Sequence, residues 1–259
     1  MTYAGGMRIG TWNILAGSTV RPGPSESLAE AVSAFDLDVL ALNEVDLLQE
    51  RSGRAHQARD AAVGMQAPHW RFGPSFRVDG AKRIQTPGTL YGPDDTPNAA
   101  HYGIALLSRI PVRAWHRVEL GRSPIGLPLL DGRKGGRSWY YCEDEPHLGI
   151  AAELTNGWTV IATHLSFVTP IAIAQLSRLR RWAKQFGERT VILGDMNLAR
   201  AVITLRPRWQ SAVNTNTYPS WRPVVQLDHI LIPRRAAHWP ISLARPGLSD
   251  HLPIATELH

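Results

Sequence analysis

Short apolar runs bounded by Gly, Pro and Asn alternate along the chain with segments whose apolar residues recur at helical spacing. This alternation predicts a layered α/β architecture rather than an all-helical one. Helices are expected over residues 25–35, 55–65 and 171–186, with Ser25 as the N-cap of the first. Strands are expected over residues 7–13, 37–43, 70–72, 103–108, 112–120, 149–154, 158–163, 190–193, 226–232 and 254–258.

The connections between these elements carry clear turn signals. Asn156-Gly157 separates two expected strands and predicts a two-residue hairpin turn, because both residue types tolerate a positive φ. The Gly- and Pro-rich ranges 82–100 and 121–136 are predicted to be long loops, where substrate selection could reside. Neither a repeat nor a linker divides the sequence, so we expect one domain over residues 1–259, with residues 1–6 as a disordered N-terminal extension.

Composition narrows the class of protein. With 44% hydrophobic and 19% charged residues in 259, the chain is not a disordered, collagen-like or coiled-coil protein. Its one cysteine, Cys142, allows neither an internal disulfide nor a thiolate zinc site. The formal net charge of +6 favours an acidic partner such as nucleic acid, a phosphorylated metabolite or a lipid headgroup. Its basic residues are almost all arginine, however, which a GC-rich genome would also produce.

Two features of the sequence bear on localisation. The longest uncharged run, residues 155–177, contains His164, Pro170 and Gln175 and is too polar to span a bilayer. The first residues lack the charged start and the apolar stretch of a secretory signal. We therefore expect a cytoplasmic monomer without a membrane span.

Acidic, amide or imidazole side chains follow six of the apolar strands. One polar residue after a strand is usually a turn or cap residue, but groups at the ends of neighbouring strands can converge on one rim of a sheet. Six such endings without a thiol therefore indicate a functional site. The endings are Thr11-Trp12-Asn13, Asn43-Glu44-Val45-Asp46, Thr163-His164-Leu165, Gly194-Asp195-Met196-Asn197, Leu227-Asp228-His229 and Ser249-Asp250-His251.

In chain order, the motifs TWN, NE, YGIALLSR, THL, GDMN, LDHI and SDHLP resemble those of the endonuclease/exonuclease/phosphatase superfamily, the DNase I-like proteins. The resemblance covers nearly the whole chain. It implies a four-layer α/β sandwich of two mixed β-sheets flanked by helices, with the site at the ends of the central strands.

The resemblance also implies roles for single residues. Carboxylate and amide oxygens suit Mg²⁺ or Mn²⁺, and Glu44 is the leading metal ligand, with Asn13 and Asp250 beside it. Asp195 orients or deprotonates the attacking water, while Asn197 holds the phosphate or a second metal.

The histidines complete the implied site. His251 contacts the phosphate, and Asp228 hydrogen-bonds the far side of its imidazole. His251 could abstract a proton or stabilise the phosphorane as an imidazolium; we favour the second, with Asp195 as base. His164 is a further phosphate contact or general acid. Candidate substrate contacts are Tyr102, Arg137 and Trp221, and His147 is a weaker candidate for holding phosphate.

These residues predict a divalent-metal-dependent phosphoesterase. The leading interpretation is phosphodiester hydrolysis of nucleic acid, DNA or RNA, or of a small phosphorylated compound. The alternative is a phosphomonoesterase or a phospholipase C-like, sphingomyelinase-like hydrolase. A catalytically inactive binding module is less favoured, since it would lack at least one of five residues that are all present: Glu44, Asp195, Asp228, Asp250 and His251.

Overall fold

The computed structural model describes residues 6–20, 26–131, 138–203 and 208–259. Its helices are α1 (Leu28–Ser33), α2 (Gln57–Met65), α3 (Thr169–Ala183) and α4 (Arg200–Ile203). Its strands are β1 (Met7–Asn13), β2 (Val39–Leu47), β3 (His69–Asp79), β4 (Lys82–Gln85), β5 (His101–Ser108), β6 (Val112–Gly121), β7 (Leu127–Asp131), β8 (Ser138–Cys142), β9 (His147–Leu154), β10 (Thr159–Thr163), β11 (Thr190–Asp195), β12 (Trp209–Ser211), β13 (Asp228–Pro233), β14 (His238–Ile241) and β15 (Ile254–Leu258).

Two large sheets contain most of the strands. The first has seven strands in the order β14-β15-β1-β2-β5-β3-β4, and the second has six in the order β12-β13-β11-β10-β9-β6. Each is mixed, because β1 runs parallel to β2 and β10 runs parallel to β11 while their other neighbours are antiparallel. Strands β7 and β8 form a separate two-stranded sheet.

Three apolar clusters define the layers. The largest lies between the two sheets and joins residues such as Ile9 and Leu106 of the first to Ile150 and Leu193 of the second. A second cluster packs α1 and α2 on the outer face of the first sheet, and a third packs α3 on the outer face of the second. The order helices, sheet, sheet, helix is the four-layer α/β sandwich expected from the sequence.

Several boundaries differ from the sequence-based expectation. The first helix begins at Leu28, and its N-cap is Ser27, which forms a reciprocal capping box with Glu30; the expected cap, Ser25, lies outside the described residues. The ranges expected to be long loops contain β4 and β7. All four residues of β4 are exposed, so no alternation of apolar and polar residues marks it as a strand.

The hairpin of β9 and β10 is confirmed, but its turn is not the expected two-residue one. Leu154 N–H bonds the carbonyl of Trp158, and Gly157 N–H bonds the carbonyl of Leu154. Of Asn156 and Gly157, only Gly157 has a positive φ, 87°. The turn is therefore longer, with glycine required at one position.

None of the described helices combines the length and the apolar character that crossing a bilayer would require.

Candidate active site

The polar residues that follow the apolar strands converge at one edge of the sandwich. Parallel strands end at this edge, and their antiparallel neighbours begin there. Asn13 is the last residue of β1, Asp195 the last of β11 and Asp228 the first of β13. His164 directly follows β10, and His251 precedes β15. Residues distant in sequence therefore face one another across the mouth between the two sheets.

The amide of Asn13 joins carboxylates from both sheets. Its Nδ2 donates to Glu44 Oε1 at 2.9 Å and to Asp195 Oδ2 at 3.0 Å. Its Oδ1 accepts from the backbone N–H of Leu15 at 3.1 Å, which fixes the orientation of the amide. The sequence predicts Asn13 as a metal ligand, and this oxygen keeps a second lone pair with which it could bind one.

A break in β2 sets the position of Glu44. The register between β2 and β5 shifts between Leu42 and Val45, and Glu44 has a left-handed backbone with φ 55°. Such a bulge re-aims a side chain that regular alternation would turn away. Neighbouring residues of a regular strand point to opposite faces. Because of the bulge, Asn43 and Glu44 both point into the space between the sheets.

Asn43 is a positioning residue that the sequence reasoning did not single out. Its Nδ2 donates to the carbonyl of Thr163 at 2.8 Å, and its Oδ1 accepts from the N–H of Asp195 at 2.8 Å. This buried amide thus ties β2 of one sheet to β10 and β11 of the other. Gly194 allows the close approach of these strands: a Cβ there would lie 1.8 Å from the carbonyl oxygen of Thr163.

His251 and Asp228 form a buried pair. The two residues lie 2.7 Å apart between Nδ1 and Oδ2. Burial disfavours the charged imidazole, but the negative charges of Asp228 and Asp195 outweigh it and raise the pKa of His251 to about 10. The ring is therefore an imidazolium at neutral pH, with Nε2 3.8 Å from Asp195 Oδ2. Ser249 supports it by accepting from the backbone N–H of His251 at 3.0 Å.

His164 and Asn197 also lie next to Asp195. His164 Nε2 lies 3.7 Å from Asp195 Oδ2 and 3.4 Å from Asn197 Nδ2. Asn197 donates through its backbone to Asp195 Oδ1 at 2.9 Å and through its amide to the carbonyl of Leu165 at 2.8 Å. Its φ of 49° folds the segment after β11 back towards the mouth.

A second layer of polar residues lies behind His164. Glu145 Oε1 lies 3.6 Å from His164 Nδ1, and burial raises the pKa of this carboxyl group. His147 is buried, with Nε2 3.0 Å from Asp144 Oδ1 and Nδ1 2.8 Å from the carbonyl of His164. Because both ring nitrogens of His147 contact protein atoms, it has none free for a phosphate, and the expectation that it could hold phosphate was wrong.

The candidate substrate contacts occupy different depths. Tyr102 is buried and stacks on Phe76, and its pKa is raised by burial and by the nearby charges of Glu145 and Glu44. Trp221 is half-exposed at the rim, next to Ser220, whose N–H bonds the carbonyl of Asp250 at 2.7 Å. Arg137 lies outside the described residues.

The donor set fits a hard divalent cation. Carboxylates of Glu44 and Asp195 approach each other across a neutral amide, and no described cation forms an ion pair with Glu44. The other carboxylate of this edge, Asp228, is paired with a charged imidazole, although its buried Oδ1 has no described hydrogen-bond partner. Oxygen ligands without thiols are the type that Mg²⁺ and Mn²⁺ prefer. Among the described residues, two groups each bring three possible ligand atoms within 4.8 Å of one another: Asp195, Asp228 and His251, and Glu145, His147 and His164.

Comparison with known proteins bears on the family and on the fold. A family model described as "Endonuclease/Exonuclease/phosphatase family" matches residues 10–251. A search of curated proteins finds no significant match. Among solved structures, the chain is similar to an endonuclease/exonuclease/phosphatase from Beutenbergia cavernae, at 18% identity and TM-score 0.60, over 98% of this chain and 72% of that one.

Two further solved structures share the fold. One is the 3′ phosphatase NExo from Neisseria bound to product DNA hairpin, at 17% identity and TM-score 0.54, over 98% of this chain and 99% of that one. The other is sphingomyelinase C from Streptomyces griseocarneus, at 16% identity and TM-score 0.51, over 98% of this chain and 99% of that one. At these identities, the likeness shows the fold alone.

Proposed function

Because the chain belongs to the endonuclease/exonuclease/phosphatase family, whose fold supports hydrolysis of phosphoester bonds, we propose that it is a divalent-metal-dependent phosphodiesterase. The observation that carries this proposal is the surroundings of Asp195 Oδ2. This one oxygen lies 3.0 Å from an amide nitrogen of Asn13, 3.7 Å from His164 Nε2 and 3.8 Å from His251 Nε2. A buried carboxylate oxygen that faces two imidazoles without a direct hydrogen bond to either is placed to accept a proton from a water that lies in front of all three groups.

In the proposed reaction, Asp195 orients the attacking water and accepts its proton. Its other oxygen is held by the N–H of Asn197 at 2.9 Å, so the carboxylate cannot turn away. The imidazolium of His251 donates from Nε2 to a nonbridging phosphate oxygen, where negative charge grows in the transition state. Asp228 keeps that ring charged and fixes which nitrogen faces the substrate.

The remaining polar groups bind the phosphate and the leaving group. His164 Nε2 faces the same oxygen of Asp195 as His251 Nε2, and it serves a second phosphate oxygen or protonates the leaving oxygen. The amide of Asn197, which donates to the carbonyl of Leu165 and lies 3.4 Å from His164 Nε2, holds the phosphate together with that histidine. Tyr102 and Trp221 contact the substrate at the floor and at the rim of the mouth.

Glu44 and Asp250 would hold Mg²⁺ or Mn²⁺, which neutralises charge on the phosphate and stabilises the leaving oxygen. Asn13 would lie beside this metal, and its amide nitrogen also holds Glu44 and Asp195 at a fixed separation.

Hydrolysis of bis(p-nitrophenyl) phosphate tests the proposal. We expect release of p-nitrophenol with Mg²⁺ or Mn²⁺, and its loss in EDTA. The monoester p-nitrophenyl phosphate, assayed in parallel, is expected to react more slowly. Faster hydrolysis of the monoester would favour a phosphatase, as the 3′ phosphatase relative would suggest. Absence of hydrolysis of either ester with any divalent metal would refute the proposal.

A further inference from the structure

A cavity of about 560 Å³ opens between the β4 edge of the first sheet and the segment after β8. Its lining includes Arg83, Arg122, Tyr141 and Glu143. Glu145 follows Glu143 by two residues, and its Oε1 lies 3.6 Å from His164 Nδ1. The cavity therefore lies directly beside the candidate active site, although none of the roles proposed above uses it.

Aromatic stacking holds Arg83 at the side of the cavity. Its guanidinium lies 5.1 Å from the centre of the Phe76 ring. Phe76 in turn stacks on Tyr102, with ring centres 5.3 Å apart and planes 25° apart. Burial raises the pKa of Glu145, and the positive charge of Arg83 lowers it. The guanidinium of Arg83 therefore acts on a residue at the catalytic end of the molecule. A stacked guanidinium loses less conformational entropy when it binds a ligand.

The guanidinium groups of Arg83 and Arg122 are available to bind an anion. Arg51, by comparison, is paired with Asp46 at 2.6 Å. Among the described residues, no carboxylate comes within ion-pair distance of Arg83 or Arg122, and both side chains are exposed. A guanidinium without a carboxylate partner can bind phosphate through two parallel hydrogen bonds.

Tyr141 supplies a flat apolar surface beside these charges. It is 64% exposed, and its hydroxyl accepts from the N–H of Gly126 at 2.8 Å, which restrains the ring. Exposed aromatic rings next to arginines are typical of sites where unpaired bases stack on a protein. The volume is in the range of cavities that hold small ligands and is too small for a duplex.

We propose that the cavity binds the phosphate and the base of a nucleotide adjacent to the scissile bond, and that the substrate is therefore single-stranded nucleic acid. The inference rests on the proposed phosphodiesterase function and specifies its substrate class. Arg83 and Arg122 bind the flanking phosphate, and Tyr141 stacks on the base. A substrate that consists of one phosphodiester alone does not reach the cavity.

Two substrates separate binding in the cavity from catalysis. Hexathymidylate has a phosphate on both sides of most scissile bonds, whereas bis(p-nitrophenyl) phosphate has none. We expect Arg83→Ala and Arg122→Ala each to lower kcat/KM for hexathymidylate by about tenfold and to leave kcat/KM for bis(p-nitrophenyl) phosphate unchanged. The matched control is Arg189→Ala, because Arg189 also stacks on an aromatic ring, that of Trp158, but at the opposite end of the sheets. This variant should cleave both substrates like the wild type.

Binding of fluorescent hexathymidylate in EDTA gives a readout that does not depend on hydrolysis. Removing one phosphate contact should reduce the slope of log Kd against log salt concentration by about 0.7. An unchanged slope and an unchanged kcat/KM for hexathymidylate in both variants would overturn the proposal. An equal loss on both substrates would also overturn it, because Arg83 would then act through Phe76 and Tyr102 on the catalytic centre.

Two other outcomes distinguish a failure of the cavity assignment from a failure of the proposed phosphodiesterase function. A wild-type protein that cleaves bis(p-nitrophenyl) phosphate but neither binds nor cleaves hexathymidylate would refute the cavity assignment and leave the phosphodiesterase function standing. A protein that cleaves neither substrate refutes the function itself. Binding to phosphatidylserine vesicles that is lost in Arg83→Ala, without any effect on hexathymidylate, would show instead that the cavity faces a membrane surface.

Discussion

Replacing Asp228 with Asn isolates the contribution of one buried charge to the candidate active site. The substitution preserves the shape of the side chain and removes the negative charge that lies 2.7 Å from His251 Nδ1. With that charge present, the pKa of His251 is raised from 6.5 to about 10 despite its burial. A single neighbouring opposite charge is worth roughly one to three pH units. We therefore expect the pKa of His251 in Asp228→Asn to fall towards neutrality, since only the charges of Asp195 and Asp250 still favour the imidazolium.

The loss of charge should appear in two assays. Titration of the His251 ring by NMR, in metal-free protein, should show a charged ring through neutral pH in the wild type and a midpoint lower by roughly one to three units in the variant. At a pH above both midpoints, kcat for bis(p-nitrophenyl) phosphate should fall by about ten- to a thousandfold, because the charged fraction of the ring falls about tenfold for each unit by which the midpoint drops.

The chain offers a matched control in Asp144→Asn. Asp144 is also a buried carboxylate paired with a histidine, His147, at 3.0 Å, but that histidine has no free nitrogen for a substrate. This variant should lose stability and leave the titration of His251 in place. The reasoning would be refuted if Asp228→Asn left the titration of His251 and kcat unchanged, or if Asp144→Asn shifted the His251 midpoint equally.

Three further predictions concern the metal, the sheet contact and alkaline pH. Glu44→Gln should raise the Mn²⁺ concentration needed for half-maximal activity by about tenfold or more without changing Tm in EDTA; an unchanged metal titration would contradict its role as a ligand. Gly194→Ala should lower the free energy of unfolding by about 3 kcal/mol or more, because its Cβ would lie 1.8 Å from the carbonyl oxygen of Thr163; urea unfolding measures this, and a native-like midpoint would contradict it. The raised pKa of His251 means that its pair with Asp228 stabilises the fold fully below about pH 6.5, and that this contribution is lost as the pH rises through about 10. Tm of the metal-free protein should accordingly fall more steeply towards pH 10 than Tm of Asp228→Asn, and parallel curves would count against the pair.

The sequence was most informative where an apolar strand ends in a polar residue. Strand β1 and the helix α2 were predicted nearly to the residue, because buried strands and Ala-rich helices have strong local signals. The four-layer fold was predicted from the order of the motifs, and it is confirmed. The local pattern of apolar and polar residues alone predicted only a layered α/β protein. It could not predict that two sheets pack face to face, because this packing adds no further periodicity to the sequence.

What the sequence did not indicate depends on contacts across the fold. Strand β4 is exposed along its length and exists because it pairs with β3, so its own residues carry no strand signal. The role of Asn43 depends on Thr163, which is 120 residues away and in the other sheet. His147 illustrates the opposite error: its residue type suggested a phosphate contact, and its burial against Asp144 excludes one.

The arrangement around Asp195 is the centre of the proposed function, and comparing kcat of wild type and Asp195→Asn at saturating Mn²⁺ tests it most directly. The substitution keeps the volume of a side chain that is almost fully buried and removes the group that accepts the proton of water. With Tm verified for both proteins, we expect kcat for bis(p-nitrophenyl) phosphate to fall by about 10²- to 10⁴-fold. A folded Asp195→Asn protein that hydrolyses the diester at the wild-type rate would contradict the account.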